Sequence, residues 1–556
     1  MQPANQNRRG RKVLWPAALH LLLMVCWSFA TPAQDSLAPT AIPDPAELER
    51  SGALIGDIQI DPQNIFNTED PKEDTKIFRA ANKLHIRTRE SVVRQQLLFK
   101  SGDHYSQRAL DESERILRGA RYLYDAWIRP TAYHDGVVDL VVTTRDVWTL
   151  NPGLSFGRRG GTNTFGFELE ELNILGTGTS ISASHKSGVD RDTNALEYKN
   201  PHVAGSWVGL HAIYANSSDG STRGFEIERP FFSLQTPVAT GFSGLDDERV
   251  EPLYDRGEIV DEFGAHTRTA TVYGGWSKGL VNGWTRRWTV GASYDEAQFS
   301  ALPEWSHVGL IPEDRKLVYP WIGVDLIQDE FQKMRDHDQI GRTEDFYLGT
   351  RVSAKIGWAD PSFGSDRSAL IFSGTAGHGL GAGTDSTLLL STSVTGRLED
   401  GELSNTLING AVRYYHQQSP KRLFFTTLEG SAGRNLDLDN QILLGGDNGL
   451  RGYPLRYQTG DSRALLTVEE RYFTDWYPFR LFRIGGAAFF DIGRTWGESP
   501  VGSPSLGVLK DVGIGLRIGS SRSGLGNLIH VDLAFPLDGD PSIDKVQLLV
   551  ETKQKF

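Results

Sequence analysis

Downstream of Trp148 the chain is written in twos. Apolar and polar residues alternate through short runs separated by turn residues, as in NTFGFELEELN, GSWVGLHAIYANS, RTATVYGGWSKG, RKLVYPWIGVDLI and KRLFFTTLEGSAG. A period of two sends successive side chains to opposite faces of a strand, and this region has almost no 3.6-residue helical period. Aromatic residues gather towards run ends, at Trp148, Trp276, Trp358, Trp476 and Tyr477. The pattern fills residues 147–556, too long for one soluble sandwich. It is what a wall between lipid and a polar interior requires. The last five runs are RALLTVEERYF, FRIGGAAFFDIG, DVGIGLRIGS, LIHVDLAFPL and KVQLLVETKQKF. In the last, Val546, Leu548, Val550 and Phe556 share one face, and Glu551, Lys553 and Lys555 the other.

Residues 53–146 follow a mixed pattern. IGDIQID reads as a strand. RTRESVVRQQLLFKSGD reads as a short amphipathic helix stopped near Gly102, and SQRALDESERILRGARY as a second helix with Ser106 at its N-cap. YDAWIRPTAYHDG and VVDLVVTTRDV form two strands joined by a turn at Asp135-Gly136. This β-α-α-β-β order, with LLFKSGDHYSQRALDESERILRGARYLYDA at its centre, resembles a POTRA domain, the periplasmic module of outer-membrane assembly and secretion barrels.

The first 33 residues have the parts of a secretory signal: Arg8, Arg9, Arg11 and Lys12, then an apolar stretch, then Thr31 and Ala33 before a cleavage site. Residues 34–52, with three prolines, read as a linker. The single cysteine, Cys26, lies within the signal, so the mature chain has no disulfide, thiolate zinc site or cysteine nucleophile. Removing the four signal cations takes the formal charge from −12 to about −16. That acidity argues against nucleic acid as a partner.

One stretch departs from the alternation. Residues 445–454 read GGDNGLRGYP, with Arg451 among glycines, immediately before the last five runs. FFDIG follows at Phe489–Gly493, VEERYF supplies Glu469 and Arg471, and GIGLR spans Gly513–Arg517. This ordered set resembles the BamA/TamA and two-partner-secretion superfamily (the bacterial surface antigen family), in which an RGF/Y loop folds back into the barrel lumen before the final five strands. The resemblance implies an all-β transmembrane barrel of about 16 strands preceded by one POTRA domain. The alternating runs themselves number five after the loop and up to 15 before it, nearer 20. It implies an inward loop near 441–460 whose Arg451 pairs with Asp491, with Glu469 nearby, and whose Gly452 and Tyr453 help dock it. These roles are structural or gating. Asp491 lies on the strand face opposite Phe490 and Ile492, so it points into the lumen. Phe556, ending an alternating strand, resembles the signal read by barrel-assembly machinery.

No enzyme is expected. GLSFG at Gly153–Gly157 matches G-x-S-x-G but lies in an alternating run without a strand–elbow–helix setting. His85, His104 and His134 are scattered, no metal spacing or phosphate loop is present, and LDLDN at Leu436–Asn440 reads as a solvated turn. No cofactor and no metal are expected. The expected function is insertion or translocation of client polypeptides at the outer membrane. Clients would be captured by β-augmentation on the POTRA domain, which also offers a surface to periplasmic partners. A dedicated two-partner secretion pore and a passive or lipid-handling channel are the alternatives.

Overall fold

The computed structural model describes residues 42–303, 310–382, 385–502, 504–524, 528–541 and 543–553. The expected signal segment with Cys26, and Phe556, lie outside them.

The N-terminal domain comprises α1 (Pro45–Arg50), β1 (Leu54–Gln63), α2 (Lys76–Leu84), α3 (Glu90–Arg94), α4 (Gln107–Gly119), β2 (Leu123–His134) and β3 (Val137–Asp146). The sheet order is β1-β3-β2, with β1 parallel and β2 antiparallel to β3. Ile55, Ile58, Val93, Leu110, Leu117, Val138, Leu140 and Val142 form its buried core. Ser106 caps α4 by accepting from the Ala109 amide. Two expectations are corrected. Residues 45–50, read as linker, form α1, because Asp44 caps a Pro45 start and Leu48 buries its side chain in the domain core. The helix expected from Arg87 to Gly102 is reduced to α3, followed by turns, and a separate helix, α2, precedes it.

The remaining strands close into a barrel. They start with β4 (Leu150–Arg159), β5 (Thr162–Glu171), β6 (Ser180–Ser187), β7 (Asp192–Asn200), β8 (Gly209–Ser217) and β9 (Gly220–Arg229). The wall continues through β10 (Val238–Asp255), β11 (Glu258–Val281), β12 (Trp284–Ala301) and β13 (Arg315–Gln328). A short hairpin, β14 (Phe331–Arg335) and β15 (Thr343–Tyr347), leaves the wall there. The wall resumes with β16 (Arg351–Ala359), β17 (Ala369–Ala382), β18 (Ser386–Glu399), β19 (Glu402–Ser419) and β20 (Arg422–Arg434). The segment after β20 carries β21 (Ile442–Leu444) and β22 (Gln458–Gly460), paired only with each other. The final five are β23 (Ser462–Phe473), β24 (Phe482–Trp496), β25 (Leu509–Ser520), β26 (Leu528–Pro536) and β27 (Gln547–Lys553).

The closed barrel therefore has 20 strands, all antiparallel to their neighbours. The figure of 16 implied by resemblance is corrected, and the count of alternating runs is the one the chain realises. Fifteen wall strands precede the loop because those runs pair into the wall rather than standing out as separate hairpins.

Alternation sorts the two faces. Leu154, Phe156, Phe165, Phe167, Val272, Ile322, Ile356, Ile408, Leu428, Ile514 and Leu548 are exposed on the outside, and exposed tryptophans sit near both ends, Trp276 and Trp288 at one and Trp358 and Trp496 at the other. An apolar outer band with aromatic ends is the surface of a membrane-spanning barrel. We call the end facing the N-terminal domain proximal and the other distal.

Candidate functional site: a braced lumen beside a thin seam

The segment between β20 and β23 folds back into the lumen from the distal end and lies against β23–β25. Arg451 is buried there. Its Nε donates to Asp491 Oδ2 at 2.7 Å, Nη2 to Asp491 Oδ1 at 2.9 Å, and Nη1 to Glu469 Oε1 at 2.9 Å. The guanidinium also lies 3.4 Å from the Phe489 ring centroid. The bidentate geometry is the strong form of an arginine–carboxylate pair. Thr467 Oγ1 donates to Asp491 Oδ1 at 2.7 Å, satisfying it further.

The neighbouring residues dock the loop. The Gly452 amide donates to Asp511 Oδ2 at 3.0 Å, and a Cβ at Gly452 would stand 2.6 Å from Asp511 Cβ, so only glycine allows this approach. The Tyr453 hydroxyl donates to the carbonyls of Lys510 at 2.7 Å and Asp538 at 3.1 Å. Its ring packs with Leu444, Leu450, Tyr457, Leu465 and Leu509. At the far side of the loop, Arg456 pairs with Asp190 at 2.6 Å and lies over the Tyr254 ring, so the loop spans from β23–β25 to the distal ends of the β6–β7 and β10–β11 hairpins.

The cluster extends beyond the residues expected from sequence. Glu469 Oε2 accepts from Arg471 Nε at 3.0 Å, and Arg517, fully buried, pairs with Asp532. A Cβ at Gly515 would collide with both Asp532 and Arg517, which explains a glycine two residues before the arginine. Arg517 and Arg471 were legible as motif letters, but Asp532, in the run LIHVDLAFPL, carried no signal apart from being a carboxylate on a lumen-facing position. The LDLDN turn is likewise corrected. Asp437 takes a bidentate pair from Arg397 at 2.9 Å, and Asp439 pairs with Arg315 at 2.7 Å, because the segment crosses the distal opening instead of facing solvent.

A second inward element enters from the proximal end. Ile340 at the tip of the β14–β15 hairpin, Phe346 in β15 and Leu348 just after it cluster with Tyr415, Leu423, Phe425 and Phe473 of the wall. Arg471 Nη1 donates to the His337 carbonyl at 2.9 Å, and the Tyr415 hydroxyl to Asp338 at 3.1 Å. The same hairpin holds the N-terminal domain. Asp345 receives two bonds from Arg118 at 2.7 and 2.8 Å, Thr343 donates to Asp125 at 2.9 Å, and Tyr124 to the Gly341 carbonyl at 2.7 Å. A continuous polar chain thus runs from α4 through the hairpin and Arg471 to Glu469 and Arg451. A cavity of about 650 Å³ lined by Tyr347, Arg351, Arg413, Glu429 and Arg463 remains in the lumen.

The barrel closes where β27 meets β4. One register pair, Val550 with Arg158, joins these strands among the described residues, whereas β26 and β27 pair from Leu528–Lys553 to Ala534–Gln547 and β4 and β5 from Leu150–Glu171 to Arg159–Thr162. An Arg159–Glu551 ion pair at 2.8 Å flanks the junction. In the N-terminal sheet both edges carry side-chain donors or acceptors. Arg94 binds the Ile58 carbonyl on β1; on β2, Arg118 binds the Ala126 carbonyl and Glu114 the Ile128 amide. The part of β2 from Arg129 to His134 is more exposed. The G-x-S-x-G segment is β4, a wall strand.

No family model matches the chain. A protein of Treponema pallidum (strain Nichols), a candidate outer membrane protein assembly factor by name, is 30% identical over 127 residues, 21% of this chain and 15% of that protein. The chain thus covers far less than half of its relative. Among solved structures, CdiB from Escherichia coli superposes with a TM-score of 0.47 at 12% identity, over 90% of this chain and 76% of CdiB. BamA from Haemophilus ducreyi lacking POTRA domains 1–3 gives 0.37 at 12%, over 89% and 84%. The strand order and register above, not these superpositions, define the fold. The relative's name and the motifs of the loop and late strands point to the same group, which the chain resembles.

Proposed function

We propose that this chain is an outer-membrane barrel that inserts or translocates client polypeptides, with its N-terminal domain in the periplasm. The observation that carries the reading is the thin β27–β4 junction beside a wall braced from inside by Arg451. Backbone groups at a poorly paired junction are free to exchange partners with a client strand. A wall held by buried ion pairs keeps its shape while that exchange proceeds. The N-terminal domain, POTRA-like in element order, offers Arg129–His134 of β2 as the edge for an extended client. Pro130 within that stretch lacks an amide, so the client is held by fewer backbone bonds and is released readily. Arg451, Glu469 and Asp491 act structurally, through the loop, and the chain is not an enzyme.

The test is depletion of the protein followed by quantitative proteomics of outer membrane and medium. A fall across many barrel proteins is the expected result for general insertion. Loss of one secreted protein makes the chain a dedicated secretion pore. An unchanged proteome overturns the polypeptide-handling reading in favour of a channel or lipid-handling role.

A further inference from the structure

Residues 64–89 run between two places on the proximal rim. At one, Arg522 in the turn after β25 donates to the Ile65 carbonyl at 2.7 Å, pairs with Glu73 and lies over the Phe66 ring. At the other, the turn after β5, Asn173 donates to Thr88 Oγ1 at 2.8 Å, and Arg89 donates to the carbonyls of Leu175 and Gly176 at 3.0 Å. The strands between those turns in the wall order are β26, β27, β4 and β5. The segment is therefore a strap across the proximal side of the seam, and its middle is α2.

This helix has an unusual surface. Thr75 caps it, and Phe78 stacks on Phe66 at 4.0 Å while Asn82 exchanges two bonds with the Phe66 backbone, so one side is tied down. Ile77, Ala80 and Leu84 sit at i, i+3 and i+7 on one stripe. Ile77 is 77% exposed and Leu84 75%, with Ile86 just beyond also exposed. Lys76, Arg79 and Lys83 occupy the adjoining stripe, all exposed, with Arg79 bonded to Asp74. A bare aliphatic stripe edged by cations is the surface of a helix lying in a membrane interface. Leu175, exposed in the turn that Arg89 grips, is a further bare apolar side chain on the same proximal rim.

We infer that α2 is an interfacial anchor, laying Ile77, Leu84 and Ile86 into the proximal leaflet beneath the seam with Lys76 and Lys83 at lipid phosphates. The inference requires only that the barrel spans a bilayer, not that it handles clients. The helix then fixes the N-terminal domain against the membrane where the wall is thinnest.

The test uses the full chain, with Cys26 replaced by serine, in phospholipid nanodiscs. Ile77→Cys, Leu84→Cys and Lys83→Cys are each labelled with an environment-sensitive fluorophore and quenched by nitroxide-bearing phospholipid. Migration of the unboiled protein in a gel reports barrel insertion separately. The expected result is blue-shifted emission at positions 77 and 84, with quenching about twofold or more above that at position 83. Equal, water-like emission at all three positions in an inserted barrel overturns the inference. So does burial of positions 77 and 84 only after an unfolded client is added, which makes the stripe a polypeptide surface.

Discussion

At the scale of single residues the lumen is governed by charge taken out of water. Exposed ion pairs contribute roughly 0 to 1 kcal/mol, but removing one partner of a buried pair strands the other. Arg451→Ala leaves Asp491 and Glu469 buried without their shared cation, and a loss of about 3–5 kcal/mol is expected. Urea unfolding in detergent micelles measures it. Arg451→Lys keeps the charge but loses the bidentate fork and should fall between wild type and Arg451→Ala. An Arg451→Ala protein as stable as wild type would remove the brace from the mechanism. Much of this site was legible: Arg451, Glu469 and Asp491 stood in ordered motifs, and alternation pointed Asp491 inward. Asp532 and the use of Asp437 and Asp439 were not, because a carboxylate in a run or turn carries no mark of the arginine that reaches it across the barrel.

At the scale of elements, the β14–β15 hairpin is the part the sequence disguised. Its strands are five residues each and alternate like wall strands, so nothing local distinguishes a plug from a wall. Its hold on the N-terminal domain is testable. Asp345→Arg should raise amide exchange across residues 331–347 by separating the hairpin from Arg118, and adding Arg118→Asp should restore protection. Failure of the double exchange to recover it would mean that the pair does not hold the hairpin. A pH dependence also belongs here. Burial first, then the charge of Asp338, pushes the Glu344 carboxyl from 4.5 up to about 7, against the opposing bonds from the His337 and Asp338 amides. Between those values the folded hairpin binds more protons than an unfolded one, so its stability falls as pH rises from 4.5 to 7 and is level on either side. Exchange of residues 336–345, corrected for intrinsic rate, should be slower at pH 4.5 than at pH 7, and Glu344→Gln should abolish the difference. A difference that persists in Glu344→Gln assigns the effect to another group.

For the whole molecule the decisive feature is closure. Nineteen of the junctions are consecutive or nearly consecutive hairpins, whose pairing costs little loop entropy, while the twentieth joins strands at opposite ends of the barrel sequence. Among the described residues that junction has the fewest register pairs. A disulfide between Arg158→Cys and Val550→Cys in a Cys26→Ser chain should lock it, abolish the proposed client handling when oxidised and restore it on reduction. Full function of the oxidised protein would exclude opening at the seam. The sequence by itself determined what depends on neighbours along the chain: the period-two faces, the capped helix α4, the glycine-rich loop and the strand runs whose number the barrel realises. Tertiary structure alone decided which runs became wall and which became plug, where α2 lies, and which carboxylates meet which arginines. Those choices rest on register and on contacts between residues hundreds of positions apart, such as Arg118 with Asp345 and Arg522 with Ile65, and local periodicity contains no record of them.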